Sequence, residues 1–362
     1  MTSVHRWDDT RIYHRMCRSL ARNGHEVHLV APRLTDAPRI SPDGVTLHLV
    51  EQATGRVGRV LGTARAAAHL GLSLQPDILH FHDPELLLYL SQSRIPTVYD
   101  AHEDYRLSVK GRYWVPSGIR RLAARAVGWF EDRSSRRVSA IVAAHPPIAR
   151  RFATHPHLVV VENFPELGED PLVHAGTRAP VAGHFVYVGG LSAGRGVEEM
   201  VTAIGRVGSP AVLSLAGPWE HQTLREHMRR RNEWSAVEER GVLGRPEMYG
   251  LLLKSVAGLC VLQPIGSYVD ATPTKLFEYM LAGLPVIASH FPRWKEIIEA
   301  EQCGLVVDPR SVEELVRAMQ WVMTHPIEAE QMGQRGRTAV LTRYGWESQF
   351  TKLIELYNDL RR

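Results

Sequence analysis

Two stretches in the second half of the sequence carry residue types that bind phosphate. The first, YVGGLSAGRG at 187–196, follows a strand-like apolar run and precedes a helical pattern. Its glycines would let backbone N–H groups approach a phosphate, and Arg195 would add charge-assisted hydrogen bonds. The spacing from Gly189 to Arg195 resembles a degenerate P-loop, but Arg replaces the Lys and Gly196 stands where a magnesium-binding Ser or Thr is needed, which disfavours an ATPase. A glycine-rich turn that only permits tight packing is the alternative.

The second stretch starts at Asp270 and leads into a helix whose first residue is Pro273. Backbone N–H groups near Thr272 and Lys275 would then be free to hold an anion at the positive end of the helix. Asp270 and Glu278 lie eight positions apart, one in the loop and one on the helix, so both could reach one ligand. A carboxylate accepts two hydrogen bonds and therefore suits a ribose diol. A solvated carboxylate on a helix face is the alternative for Glu278.

The histidines of the first half meet only part of the requirement for a metal site. His80 and His82 alternate onto one face of a strand-like run, but no third ligand has a suitable spacing for zinc. The sequence also contains no Asp-x-Asp, the usual carboxylate pair for a metal-held diphosphate. We therefore predict no metal ion and no cofactor.

The elements that must position these residues alternate along the whole chain. Short apolar runs and amphipathic stretches follow one another, which predicts parallel sheets covered by helices on both faces. The length of 362 residues favours two such domains, and ligands of open parallel sheets bind at the carboxyl ends of the strands. We expect an α/β protein with two doubly wound, Rossmann-like domains. The predicted segments are a first domain over 1–165, a linker over 166–181, a second domain over 182–345 and an amphipathic C-terminal helix over 346–362.

The first strand poses a problem of length. Only MTSV precedes the turn at 5–9, although the first strand of a doubly wound domain belongs near the centre of its sheet. Either this strand is very short or the true start lies upstream. The sequence leaves both alternatives open.

The composition is that of a soluble globular protein. Hydrophobic residues make up 44% and charged residues 23%, which disfavours disordered, collagen-like and membrane-embedded chains. Three widely spaced cysteines without a CxxC pair fit a reducing compartment. The charged N-terminal segment and the lack of an apolar run of roughly 18 residues disfavour a signal peptide and a membrane span. The expected location is the cytoplasm.

Positive charge is concentrated in the first half of the chain. The net charge is +4, and residues 1–168 hold 22 Lys and Arg against 16 Asp and Glu. No Lys/Arg run interleaved with aromatic residues indicates nucleic-acid binding. Between 116 and 137, six arginines accompany Trp, Leu and Phe side chains. Such a basic amphipathic helix could lie at the inner face of an anionic membrane or hold an anionic acceptor lipid, whereas a solvated Arg-rich helix is commoner.

The sequence resembles the retaining family 4 glycosyltransferases of the GT-B fold. The resemblance rests on Asp270-x7-Glu278, which is similar to the family's Glu-x7-Glu motif, and on PTKLFEYMLAGLPVIAS at 273–289. It extends over nearly the whole chain through DTRIY at 9–13, FHDPEL at 81–86, YDAHED at 99–104, ENF at 162–164 and GWE at 345–347.

This resemblance implies the fold and the reaction. The two domains would face each other across a cleft, and the terminal helix would cross back to the first. A hexose-type sugar would pass from a UDP- or GDP-sugar, with retention, to a hydroxyl of a glycan, glycolipid, saccharide or small molecule. The first domain would bind the acceptor and the second the donor.

The resemblance also assigns residues. His102 would reach the donor sugar, Arg195 the diphosphate and Glu278 the ribose, although a histidine satisfied by loop backbone is the alternative for His102. The implied catalytic residues are His102, Asp270 and Arg195. The implied donor-binding residues are Gly189, Gly190, Arg195, Gly217, Arg245, Thr272, Thr274, Lys275 and Glu278. The implied acceptor-binding residues are Asp9, His82, Asp83 and Glu103.

The chain departs from the family pattern in its phosphate cations. The family usually has Arg at the position of Gly190 and Lys at that of Arg195, and its first Glu is Asp270 here. One cation is thus absent and the other is changed. Without a metal, Arg195, the loop N–H groups and the helix end near Thr274 would have to stabilise the leaving diphosphate.

Three rival functions remain at this point. A catalytically silent sugar-nucleotide binding protein fits the departures, and a nucleotide-sugar 2-epimerase shares the two-domain architecture. A dinucleotide oxidoreductase is disfavoured because no Gly-x-Gly-x-x-Gly follows the first strand of either domain. The oligomeric state stays open.

Overall fold

The structure, a computed structural model, describes residues 1–102, 117–168, 170–174, 178–269 and 272–361. The chain forms two compact units, of which the first comprises Met1–Asn163 and Trp346–Arg362 and the second Phe164–Gly345. The described residues of the predicted linker belong to the second unit. Among them Leu172 is buried in its core, and Arg178 donates a hydrogen bond of 2.6 Å to the Gly283 carbonyl.

The first unit contains two groups of parallel strands. Its strands are β1 (His28–Pro32), β2 (Thr46–Val50), β3 (Leu79–Phe81), β4 (Thr97–Ala101), β5 (Ala140–Ala143) and β6 (Leu158–Val160). β1 pairs with β2, and β3, β4, β5 and β6 form a sheet in that order. All five residues of β4 are buried, as expected for a parallel strand covered on both faces.

Met1 and Thr2 join these two groups. The Met1 α-amino group donates a hydrogen bond of 2.7 Å to the His80 carbonyl, and the His82 N–H donates one of 3.2 Å to the Met1 carbonyl. On the other side, the Thr2 N–H donates to the Val30 carbonyl at 2.9 Å. Met1 and Thr2 therefore act as a minimal central strand between β1 and β3. The spatial order, two strands on one side and four on the other, is doubly wound.

Helices cover the sheets of both units. In chain order they are α1 (Arg18–Arg22), which continues a helical segment Thr10–Cys17, α2 (Gly55–Gly58), which continues through Arg59–Thr63 into α3 (Ala64–Ser73), α4 (Leu87–Leu90), α5 (Ser117–Ser135), α6 (Pro146–Arg151), α7 (Val197–Val207), α8 (Gln222–Arg229), α9 (Arg245–Lys254), α10 (Thr274–Leu281), α11 (Pro292–Glu301), α12 (Val312–Thr324), α13 (Pro326–Arg343) and α14 (Trp346–Leu360). In the part of the chain that the structure describes, none of these helices combines the length and the apolar character needed to cross a bilayer.

The second unit is built on one six-stranded parallel sheet. Its strands are β7 (His184–Val188), β8 (Val212–Ala216), β9 (Val237–Gly241), β10 (Ala257–Cys260), β11 (Val286–Ser289) and β12 (Gly304–Val307), in the order β12-β11-β10-β7-β8-β9. The strand order reverses between β7 and β10, which is where open α/β sheets bind ligands. The loops after these strands are tied together, because the Gln263 N–H donates to the Gly194 carbonyl at 3.0 Å. The prediction of two α/β domains with parallel sheets is confirmed.

The C-terminal helix α14 completes the first unit. Trp346, fully buried, donates through Nε1 to Ser19 Oγ at 2.8 Å, and Gln349 Oε1 accepts from the Glu162 N–H at 3.1 Å. Leu353 packs in the same apolar cluster. The helix was predicted from the spacing of its apolar residues, and the structure buries the face on which these residues lie.

Candidate active site

Gly189 lies at the reversal point of the second sheet, where two cationic side chains meet. Its N–H donates to the Ala216 carbonyl at 2.8 Å, at the end of β8. The backbone φ of Gly189 is +133°, a conformation that glycine tolerates. A Cβ here would lie 2.7 Å from Lys275 Nζ and 3.3 Å from Arg195 Nη1. The absence of a side chain therefore leaves room for both cations.

Lys275 is a buried cation. It is the second residue of α10 and is only 8% exposed, and its Nζ has no hydrogen-bond partner among the residues that the structure describes. The Nζ lies 3.9 Å from the centre of the Tyr187 ring, which is a cation–π contact. Burial lowers the pKa of Lys275 to about 8. Because an unpaired buried ammonium is costly, this arrangement favours a bound anion.

Further donors lie around the start of α10. Thr272 Oγ1 is buried and has no hydrogen-bond partner in the described part of the chain. Pro273, the N-cap residue, offers no side chain that could accept from the first N–H groups of the helix, which starts at Thr274. Beside them, the Tyr187 hydroxyl donates to the Gly190 carbonyl at 2.9 Å and holds the loop in place. Hydroxyl, ammonium and helix-end donors thus meet in a form suited to phosphate oxygens.

Gly217 supports this loop from behind. Its φ is +148°, and a Cβ on Gly217 would lie 2.0 Å from the Gly189 carbonyl oxygen. Glycine is therefore needed so that the chain leaving β8 can pass against Gly189. The structure gives Gly217 a packing contact with the glycine-rich loop at 187–196.

A second group of charged side chains lies around the Tyr249 hydroxyl and includes Glu278, one turn beyond Lys275 on α10. Burial raises the pKa of Tyr249 to about 12, Arg245 opposes the shift, and Asp170 and Glu278 add to it. The Tyr249 hydroxyl donates to Asp170 Oδ2 at 3.2 Å. Arg245 and Glu278, both predicted donor residues, therefore share the neighbourhood of one hydroxyl. Tyr249 and Asp170 were missed because nothing in their local sequence marks them.

Two predicted site residues, Asp270 and Glu103, lie outside the described residues. Of the two carboxylates of the Asp270-x7-Glu278 motif, the structure therefore describes only Glu278, the predicted ribose contact, which is half-buried on α10.

The first unit is organised around a buried carboxylate that sequence reasoning missed. Asp100, at the end of β4, is fully buried, and the Arg11 guanidinium donates to both of its oxygens, from Nε and Nη2, at 3.0 Å each. Arg11 Nη1 donates to the Val161 carbonyl at 2.8 Å. Burial alone would raise the pKa of Asp100, but Arg11, then His102 and His80, hold it well below its usual range. Asp100 is therefore ionised.

Three imidazoles surround Asp100. His102 Nε2 and His82 Nδ1 share a hydrogen bond of 2.8 Å, and they lie 3.4 Å and 3.5 Å from the Asp100 oxygens. His80 Nε2 lies 3.4 Å from Asp100 Oδ2, and its Nδ1 shares a hydrogen bond of 2.6 Å with the Tyr357 hydroxyl. Burial lowers the pKa of His80 and lowers that of His82 well below the usual value. His82 is buried, so it holds the ring of His102 and does not itself face solvent.

The predicted acceptor carboxylates have structural partners. Asp83 is fully buried, and its Oδ2 accepts hydrogen bonds from Thr2 Oγ1 at 2.7 Å and from the Ser3 N–H at 2.6 Å. Asp9 Oδ1 caps the first helical segment by accepting from the N–H groups of residues 11 and 12 at 2.8 and 3.0 Å. His5 lies between the two acids, 3.4 Å from Asp83 and 3.8 Å from Asp9. The Asp83 carboxylate is buried and His5 beside it is half-buried, so acceptor contact through Asp83 stays a prediction.

The fold supplies the third group that the spacing of His80 and His82 lacked. Ligand atoms of His80, His82 and Asp100 all lie within 4.8 Å of one another. No third ligand was evident from sequence spacing, and the fold brings Asp100 to the two histidines from the neighbouring strand β4. Both Asp100 oxygens are engaged by the Arg11 guanidinium, however, and its positive charge at 3.0 Å opposes a second cation.

Two family models match the chain. Residues 10–164 match the model described as Glycosyltransferase Family 4, and residues 182–339 match Glycosyl transferases group 1. The chain belongs to the family 4-like glycosyltransferases of the GT-B fold. A curated relative is the GDP-mannose-dependent alpha-(1-6)-phosphatidylinositol monomannoside mannosyltransferase of Mycobacterium tuberculosis, 27% identical over 167 residues, which are 44% of this chain and 43% of the relative. This glycosyltransferase therefore matches less than half the length of that relative.

Solved structures share its fold at low sequence identity. Sucrose-phosphate synthase from Thermosynechococcus elongatus superimposes with a TM-score of 0.73 at 17% identity, covering 95% of this chain and 91% of the other. The Anabaena protein HepE in complex with UDP-glucose gives a TM-score of 0.66 at 13% identity and covers 91% of each chain. These likenesses establish the GT-B fold of the glycosyltransferase described here.

The buried ammonium of Lys275 should lower the free energy of unfolding of the protein. We expect Lys275→Met to raise the free energy of unfolding at pH 7 by on the order of 2 to 3 kcal/mol, because each unit of pKa shift corresponds to about 1.4 kcal/mol. Since the pKa of Lys275 falls from 10.5 to about 8 on folding, the unfolded state binds more protons between these values, and this residue's contribution to stability rises with pH there. Denaturant unfolding at pH 7 and pH 9.5 measures both. Lys254→Met, at an exposed position, is the control and should change little.

Removing one partner of the Asp100–Arg11 ion pair should lower the free energy of unfolding more than removing both. Asp100→Asn leaves the Arg11 guanidinium buried without its countercharge and should lower the free energy of unfolding by about 3 to 5 kcal/mol. The double variant Arg11→Met/Asp100→Leu removes both charges and should recover most of that loss. Chemical unfolding of the three proteins measures this, and an Asp100→Asn protein as stable as the parent would contradict the assigned ion pair.

Proposed function

We propose that this chain is a metal-independent retaining glycosyltransferase that moves a hexose-type sugar from a nucleotide-diphosphate sugar to a hydroxyl of a glycan, glycolipid or small-molecule acceptor. The observation that carries the proposal is the buried Lys275 ammonium next to Gly189 and Arg195, for which the described residues provide no hydrogen-bond acceptor. An ammonium in that state needs an anion, and the diphosphate of a sugar nucleotide supplies one. Family membership supplies the reaction class.

The chemistry follows from where charge develops. The bond between the anomeric carbon and the phosphate oxygen breaks, its electron pair stays on the diphosphate, and the sugar becomes oxocarbenium-like. Arg195, Lys275, Thr272 and the N–H groups at the start of α10 then stabilise the added negative charge, as preorganised donors do. The oxygen of the acceptor hydroxyl forms the new bond to the anomeric carbon, and its proton passes to the departing phosphate oxygen.

Lys275 takes the part of the cation missing at Gly190. The family pattern has two basic side chains on the glycine loop, whereas here one comes from the loop and one from α10. Two cations are still available to the diphosphate, so glycosyl transfer does not depend on a basic side chain at position 190. This supports an enzyme over the silent sugar-nucleotide binding protein.

The remaining donor and sugar contacts are proposed from the same residues. Glu278 and Arg245 are the proposed ribose and donor contacts beside Tyr249, and His102 is the proposed contact to the transferred sugar. His82 and Asp100 hold the His102 ring. The named partners of relatives, UDP-glucose for HepE and GDP-mannose for the mycobacterial enzyme, support a UDP- or GDP-sugar as donor.

Donor binding can be tested with UDP and GDP by calorimetry across pH 7 to 9.5. The protonated ammonium binds the diphosphate, so affinity should fall as pH rises through about 8. Lys275→Met should bind at least roughly tenfold more weakly at pH 7 and lose this pH dependence, whereas the exposed Lys254→Met should behave as the parent. Arg195→Ala should cost about 2 to 4 kcal/mol in kcat/KM.

The outcomes separate the rivals. Binding of a sugar nucleotide without transfer or slow donor hydrolysis would identify a silent binding protein, and release of a free epimerised sugar without acceptor would identify an epimerase. Unchanged diphosphate affinity in both Lys275→Met and Arg195→Ala would remove the proposed donor site.

Metal independence gives a separate prediction. Turnover in a coupled assay for released nucleotide should be unchanged, within about twofold, after chelation by EDTA, because guanidinium and ammonium groups replace the ion as charge stabilisers. Loss of turnover that magnesium or manganese restores would show the proposal of a metal-free reaction to be wrong. The anomeric configuration of the product, read by NMR, tests retention.

A further inference from the structure

The helix α5 has an exposed face that carries large apolar side chains. Leu122 is 67% exposed and Trp129 is 68% exposed. The two residues are seven positions apart, which places them two turns apart on the same side of the helix. Nothing in the described part of the chain covers either side chain.

Arginines complete this face. Arg125 and Arg133 are exposed at helical spacing between and beyond the two apolar residues, and Arg136 continues the same stripe just after the helix. The two acids of the helix are engaged elsewhere. Glu131 is fully buried and accepts from the Tyr99 hydroxyl at 2.7 Å, and Asp132 pairs with Arg151 at 2.8 Å. We call Leu122, Arg125, Trp129, Arg133 and Arg136 the α5 face.

Neighbouring elements extend the apolar character. α4 packs beside α5 and exposes Leu88 by 52%. The Tyr89 hydroxyl joins α4 to the segment Arg59–Thr63 by donating to the Val60 carbonyl at 2.9 Å, and that segment exposes Leu61 by 61%. Four of the six large apolar side chains exposed among the described residues of the first unit therefore lie on these three adjoining elements. Single exposed apolar residues are ordinary, but a group of them marks an interaction surface.

The topology relates the α5 face to the sheet edge that bears His102. α5 connects the parallel strands β4 and β5, so it runs back against the strand direction and its N-terminal half lies toward the carboxyl ends of the strands. His102 follows β4 at that edge. Leu122, in the first half of α5, therefore lies toward the same edge of the unit as the imidazole cluster.

We propose that the α5 face docks this protein on an anionic lipid bilayer. Arginine side chains are attracted to anionic headgroups, and tryptophan and leucine insert at the boundary between headgroups and acyl chains. Aliphatic side chains such as Leu61, Leu88 and Leu122 offer no ring on which a nucleic-acid base could stack, so a bilayer fits better than an RNA. The corollary, which rests on the proposed function, is that the acceptor hydroxyl belongs to a lipid-borne glycan.

The test is flotation of the full chain with vesicles. Vesicles of phosphatidylcholine alone are compared with vesicles that also contain phosphatidylglycerol, at about 0.1 M and about 0.5 M NaCl. The protein should float with the anionic vesicles at low salt and be largely released at high salt. Failure to float with anionic vesicles at low salt would overturn the proposal.

Two variants locate the contact. Leu122→Ser/Trp129→Ser should lower the vesicle partition coefficient by roughly a hundredfold, because two inserted apolar side chains are lost. Arg125→Ser/Arg133→Ser/Arg136→Ser should lower it by a similar order, since each basic residue near an anionic surface contributes about fivefold. If both variants float like the parent, another surface binds lipid and the proposal is wrong.

Matched controls come from the second unit. Val242→Ser/Ile327→Ser removes two side chains of similar exposure, 74% and 71%, and should leave flotation unchanged. Arg230→Ser/Arg310→Ser/Arg317→Ser removes the same net charge from exposed positions and should also have little effect. Equal losses in the control and α5-face variants would indicate non-specific charge or stability effects and would overturn the assignment.

Two further measurements separate this proposal from its competitors. Circular dichroism and UDP binding of the α5-face variants should match the parent, so that a folding defect is recognised and failure of the donor site is scored separately. Binding to a single-stranded RNA oligonucleotide that exceeds binding to anionic vesicles, and is lost in the α5-face variants, would replace the bilayer with a nucleic acid as partner.

Discussion

The candidate site of the second unit depends on one constraint, the buried Lys275 ammonium, which has no acceptor within the described ranges of the chain. Because Gly189 has no side chain, the Lys275 Nζ can lie where a Cβ at position 189 would clash with it. The Tyr187 ring below it compensates only part of the lost hydration. Folding therefore leaves an unfavourable buried charge where the strand order of the second sheet reverses. A ligand with negative charge bound there would compensate it. Binding strength and charge complementarity come from the same side chain.

The first unit uses the opposite arrangement. Asp100 is a buried anion whose charge is fully matched by Arg11, and three imidazoles are ordered around the pair. Its carboxylate does not face a ligand, since burial and the guanidinium occupy both oxygens. What it supplies is a fixed orientation for the His102 ring, together with a negative charge behind it. Such supporting groups position reactive side chains in many active sites.

The fold can be predicted from sequence patterns more readily than the geometry of the candidate site. Alternating apolar runs predict the parallel sheets. The glycine loop could be assigned to the second domain because it directly follows a predicted strand, and Lys275 and Glu278 because they lie on a helix predicted between two strands of that domain. The position of Lys275 Nζ against Gly189 could not be predicted, because 86 residues of chain separate them and only the sheet order brings them together. Asp100 was missed for the opposite reason. It lies inside an apolar strand, where a carboxylate has no local signature, and its partner Arg11 is on a helix 89 residues away.

The helix α14 makes the first unit discontinuous in sequence. Its Trp346 and Leu353 side chains cover Val98, Val142 and Val161, and the Tyr357 hydroxyl is bonded to His80. A fragment ending at residue 163 would therefore expose the apolar side chains that α14 covers, and His80 would lose its hydrogen bond to the Tyr357 hydroxyl. The first unit therefore cannot be expressed whole as one continuous segment without the second, because Trp346–Arg362 belong to the unit in which the chain begins.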